Sequence, residues 1–111
     1  MSFDTFPIGA GANTGGSLGY SLGTAPATVV VPNIQNNVVV FHNPGSSVTI
    51  YVCQALDANG NALTAGPNPG CFAIYPGQFL PFNGPGVTKQ WNAAAATGSG
   101  NPFTVFILQA P

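Results

Sequence analysis

Three ionised side chains, Asp4, Asp57 and Lys89, are all that a sequence of 111 residues contains, and this scarcity limits both fold and partners more than any motif does. An ordinary soluble domain is about 25% charged; this chain is 3% charged and carries a net charge of −1. Its polar surface has to come from Asn, Gln, Ser and Thr, and copies of the chain have almost no charge with which to repel one another. Much of that surface is therefore expected to be covered by neighbours, through apolar burial and neutral hydrogen bonds that salt does not screen.

The same count excludes several classes of function. Nucleic-acid binding needs several Lys or Arg to displace counterions, and the chain has one Lys and no Arg. Disorder driven by charge is excluded as well, because 45% of the residues are apolar and the net charge is close to zero. Val29 to Val31 and Val38 to Phe41 are the longest aliphatic runs; a membrane-spanning helix needs roughly 20 apolar residues. The start of the sequence has neither a basic nor an apolar leader segment and reads as no signal peptide. Synthesis in a reducing cytosol follows as an expectation, with Cys53 and Cys71 starting as thiols.

Residues 1–26 mix glycine with isolated apolar side chains and show neither helical nor strand periodicity. They are expected to form an extended Gly-rich arm. A bare linker has no use for Phe3, Phe6, Ile8, Leu18, Tyr20 and Leu22, so these six residues are expected to bind a partner, by burial or by pairing with a sheet edge. Residues 27–111 form the second unit, in which short runs of Val, Ile, Thr, Phe and Tyr alternate with Gly, Pro and Asn clusters.

Strands are predicted at Ala27–Val31, Val38–His42, Val48–Leu56, Ala62–Thr64 (weak), Cys71–Tyr75, Gln78–Phe82, Val87–Ala96 and Phe103–Leu108. In the third of these, Val48, Ile50 and Val52 point one way and Thr49, Tyr51 and Cys53 the other, as expected for a central strand. Asn43-Pro44-Gly45-Ser46, Asp57-Ala58-Asn59-Gly60-Asn61 and Asn83-Gly84-Pro85-Gly86 supply the turns. Val87–Ala96 also suits a helix, because of Ala93 to Ala96; the β surroundings favour a strand. Together these predict an all-β, antiparallel β-sandwich of jelly-roll type.

No constellation for catalysis, metal or cofactor emerges. Gly15-Gly16-Ser17-Leu18-Gly19 fits the nucleophile-elbow pattern, but its flanks are glycine-rich and the only histidine, His42, precedes Asp57, the reverse of the order that motif requires. The Asp57 run resembles a calcium loop only faintly, since Ala62 stands where glycine is needed and Asn68 where glutamate is needed. One His, two Cys and two Asp do not make a zinc site. Cys53 and Cys71 read either as a possible disulfide, worth roughly 3 kcal/mol on chain-entropy grounds, or as two buried thiols. Trp91 with Tyr51 and Tyr75 reads either as core or as a sugar-stacking platform.

Val38 to Cys53, Tyr75-Pro76-Gly77-Gln78-Phe79-Leu80 and Trp91 to Gly98 together resemble small β-sandwich virion proteins of tailed bacteriophages, over roughly residues 27–108. The resemblance implies a virion location after synthesis in the host cytoplasm, and a capsid decoration, cement or head-fibre role. It implies as partners the major capsid protein or another virion protein, and transfers no catalytic residue; the scarcity of charge itself predicts a homo-oligomer such as a trimer with no nucleic-acid partner, and the short apolar runs predict no membrane. The alternative function is a tail or fibre adhesin domain that binds host-surface glycans.

Overall fold

The computed structural model describes residues 15–110. Among these, eight strands form two four-stranded antiparallel sheets: β1 (Gly15–Leu22), β2 (Ala27–Val30), β3 (Asn36–His42), β4 (Ile50–Gln54), β5 (Phe72–Ile74), β6 (Phe79–Asn83), β7 (Trp91–Ala95) and β8 (Asn101–Gln109). The first sheet has the order β1-β8-β3-β6 and the second β2-β7-β4-β5. Strand pairing is nested, since β1 pairs β8, β2 pairs β7, β3 pairs β6 and β4 pairs β5. A long hairpin rolled up on itself gives this order.

The core between the sheets follows from period-2 alternation. Ile50 and Val52 of β4 are fully buried against Val39, Phe41, Phe103 and Val105 of the first sheet, as the sequence pattern predicts. Phe41 is its hub: its ring stacks 5.9 Å from Phe103 and lies 5.2 Å from Trp91. At roughly 1.5–3 kcal/mol for each large apolar side chain removed from water, such a cluster carries most of the favourable folding energy of a domain this size.

Two buried amides anchor the two ends of β3, Asn43 to the opposite sheet and Asn36 to the 85–88 segment and β8. Asn43 donates from Nδ2 to the carbonyls of Val48 and Ile74, and its Oδ1 accepts from the Gly45 amide. Asn36 donates to the Val87 carbonyl and accepts from Gln109. Both neutral side chains find partners without ionic desolvation, which makes them affordable in the interior.

Three expectations are corrected. The arm does not extend to residue 26, because residues 15–22 form β1, in register with β8 from Gly15↔Leu108 to Leu22↔Asn101; the pairing is set by β8, as β1's glycines give it no pattern of its own. The segment 87–96 is neither one strand nor a helix: Pro85–Thr88 is a short 3-10 helix and the strand starts at Trp91. Pro85 stands at its start, where a missing N–H costs nothing. Instead of a strand over 62–64 there is a single bridge, Leu56↔Ala62.

The Asp57 turn forms as predicted. Asp57 Oδ1 accepts from the amides of Asn59 and Asn61, and Gly60 takes a positive φ of 82°. The Asn61 amide foremost, with those of Asn59 and Gly60, holds the Asp57 carboxyl below the usual carboxylate range.

Candidate partner-binding surface

Directly opposed residues in an antiparallel sheet share a face, so register defines the outer face of the first sheet in three rows. Gly19, Thr104, His42 and Phe79 form one; Ser17, Phe106, Val40 and Pro81 the next; Gly15, Leu108, Val38 and Asn83 the third. An antiparallel sheet with one solvated face normally alternates apolar in, polar out. Here the outer face too carries large apolar side chains, set among Ser17, His42, Asn83 and Thr104. Phe79, Phe106 and Leu108 are 65, 39 and 40% exposed, and no charged side chain stands in any row. Phe79 lies flat on the His42 imidazole, with ring centroids 3.9 Å apart.

The second sheet treats its outer face differently. Register puts Tyr51, Cys53, Asn92 and Ala94 on that side, and the chain's own 55–71 loop roofs part of it. Cys53, Ala65 and Ala94 form a second small buried cluster, with Leu63 and Cys71 packed against it. Burial first, then the neighbouring Cys71, pushes the Cys53 thiol up to about 12. Both cysteines are thiols in this structure and sit side by side, and the Cys71 Sγ donates to the Thr64 carbonyl. Among the described residues, part of one sheet is thus covered by the chain's own loop and the other is left bare.

The edges are also unequal. Natural sandwiches blunt edge strands by shortness, proline or charge. β2 and β5 have 4 and 3 residues, and β6 carries Pro81 at its centre. β1 has 8 residues and neither proline nor charge, and among the described residues no strand pairs with its outer edge, along the rim of the bare sheet.

The predicted partner residues divide accordingly. Phe3, Phe6 and Ile8 lie outside the described residues. Leu18 is on the core side of β1, opposite Val105, at the open margin where it is 46% exposed. Tyr20 and Leu22 are corrected from partner contacts to parts of this domain: Leu22 is buried in the core, and Tyr20 packs against the core while its hydroxyl donates to the Val29 carbonyl at 3.0 Å. The surface residues that the sequence reading missed are Phe79, Phe106 and Leu108.

The aromatic platform does not assemble. Trp91 is buried, and its Nε1 donates to the Gly86 carbonyl at 3.0 Å; Tyr51 is on the opposite face of the same sheet, and Tyr75 is exposed beyond β5. Ser17 and His42 are on β1 and β3, with β8 between them. Among the described residues no three His, Cys, Asp or Glu side chains converge as a metal site would require. No protein-family model, curated protein or solved structure matches the chain.

Proposed function

We propose that the chain is a structural virion protein, a decoration or cement subunit of a phage head that binds the outside of the shell and helps hold it together. The carrying observation is the outer face of β1-β8-β3-β6, which carries exposed Phe79, Phe106 and Leu108, has no charge and is uncovered among the described residues, on a molecule that roofs part of its other sheet with its own loop. Exposed apolar surface rimmed by polar residues marks a site of association. Contacts made there are neutral, so they hold at any ionic strength, and repetition over many copies multiplies a modest single-site affinity.

The nested strand pairing supports a jelly-roll reading, a wrapping used by viral capsid and lectin domains. Fold alone assigns no function; the phage-head setting rests on the resemblance of Val38 to Cys53 and Trp91 to Gly98 to small virion proteins. β1 runs along the rim of the same face, so a sister copy seated on that face would cover Phe106 and Leu108 together with the β1 edge and form a homo-oligomer.

Electron cryomicroscopy of intact particles tests the proposal. The expected result is density for this domain outside the shell, with Phe106 and Leu108 facing a neighbouring protein. Particles without the chain, or with that sheet facing solvent, overturn it.

A further inference from the structure

At the edge farthest from β1 the two sheets part and leave a cleft. Its inner lobe, of about 310 Å³, is lined by Phe72, Phe82 and Trp91 with Gln54, Leu56 and Asp57 among others. Gln54, Leu56, Asp57 and Ala58 continue into an outer lobe of about 630 Å³ that also takes in Lys89 and Gln90. In a chain with one lysine and no arginine, that single permanent cation lines this cleft. So does Asp57, the one other charged side chain among the described residues. The two come from different loops, and the composition offers dozens of uncharged alternatives for either position.

The two charges have different explanations. Asp57 is accounted for by its turn, where its Oδ1 accepts two backbone amides. Lys89 is exposed immediately after the 3-10 helix, and its backbone alone serves that helix, through a bond to the Gly86 carbonyl. Its ammonium is therefore the group that the outer lobe offers to a ligand.

The inner lobe has different chemistry. Phe72 meets Phe82 edge to face at 5.3 Å, and Phe82 lies 4.8 Å from Trp91. This braced aromatic wall is 46% exposed at Phe72. Beside it, Gln54 supplies an amide that both donates and accepts. Gly86 makes room for that amide, since a Cβ there would stand 2.8 Å from Gln54 Nε2.

We propose that this cleft binds an oligosaccharide carrying a carboxylated sugar. A pyranose presents an apolar C–H face to an aromatic wall and hydroxyls to neighbouring amides, while a carboxylate takes the Lys89 ammonium. Polyphosphate ligands need more cations than one, and a purely apolar ligand makes no use of the Gln54 amide or the Lys89 ammonium; the Gln90 amide is already engaged with Thr28 and Asn92. The cleft is three strands across the first sheet from β1, and Phe82, opposite Val39, stands on the inward side of that sheet, outside the three outward rows of the bare face. The inference is independent of which partner covers it.

The test uses the full chain, displayed multivalently on beads, against an array of hyaluronan, polygalacturonate and sialyllactose oligosaccharides beside neutral maltose and chitin oligosaccharides. The expected result is retention on a carboxylated member of the array. Phe72→Ala is expected to weaken retention about tenfold, the size of one well-placed contact. Lys89→Gln should abolish the preference for carboxylated over neutral sugars. Gly86→Ala, at a residue without positive φ, should push the Gln54 amide aside and weaken retention while the thermal midpoint stays close to that of the parent. No retention of any carboxylated glycan by the folded protein overturns the inference, and so does retention that Phe72→Ala, Lys89→Gln and Gly86→Ala all leave unchanged. Association through the bare face is read separately, by sedimentation of the same variants, and is expected to be unaltered.

Discussion

The Nδ2 of Asn43 lies 2.9 Å from the carbonyl oxygen of Ile74, a bond that joins the end of β3 in one sheet to β5 in the other. Because the same amide also reaches the Val48 carbonyl at 2.8 Å, one neutral side chain fastens three segments. Replacing it removes both bonds, the one to Ile74 buried and the one to Val48 partly so.

Asn43→Ala is therefore expected to destabilise the domain by about 3 kcal/mol, at about 1–3 kcal/mol for each buried polar group left unpaired. Asn43→Asp should be worse than alanine near neutral pH, since it aims a carboxylate at two carbonyl oxygens, and should recover as acid restores a proton to donate. Urea unfolding of both variants across a pH series checks this. Equal midpoints for parent and variants contradict it.

The placement of Leu22 in the core and of the Tyr20 hydroxyl on Val29 makes residues 15–22 part of the fold's stability. Leu22→Ala should cost about 2–5 kcal/mol as a core truncation, and Tyr20→Phe about 1 kcal/mol for the lost hydrogen bond. An arm that touched only a partner would leave the unfolding midpoint of the isolated chain unchanged in both variants.

The two thiols should differ in reactivity, because Cys53 is buried and Cys71 is half-exposed. Iodoacetamide is expected to modify Cys71 in the folded protein and to reach Cys53 only on unfolding, as peptide mass mapping would read. The raised Cys53 thiol also fixes a pH effect. The unfolded chain releases that proton near its ordinary value of 9.0, whereas the folded chain keeps it to about 12. Folding stability is thus fully present below pH 9.0 and falls as pH rises from there toward about 12. Cys53→Ala should flatten that part of the profile; an unchanged slope would count against the assignment.

How much of this was legible in the sequence depended on whether side-chain pattern or tertiary pairing decided the outcome. Val48, Ile50 and Val52 alternate with Thr49, Tyr51 and Cys53, and β4 formed where that alternation is clearest. Asp57, Asn59 and Gly60 carry their turn in local chemistry alone. β1 was hidden because Gly15, Gly16 and Gly19 have no side chain to display a period, and its strand geometry comes from pairing with β8.

The partner surface was hidden for a related reason. In β8, Val105 and Ile107 face inward while Phe106 and Leu108 face outward, so an apolar run reads as one strand without telling which side meets solvent. Asn43 looked like a turn residue, and it is one; its reach to Ile74 spans 31 positions and leaves no local signature.

Sedimentation velocity of the full chain, at micromolar concentration in dilute buffer and again in about 1 M NaCl where screening lengths fall to about 3 Å, tests the claim that the bare sheet exists to be covered. The account predicts an oligomer under both conditions, and monomers when Phe106→Lys and Leu108→Lys are combined, with the thermal midpoint little changed. A parent chain that stays monomeric throughout, or a double variant that assembles as the parent does, would contradict it.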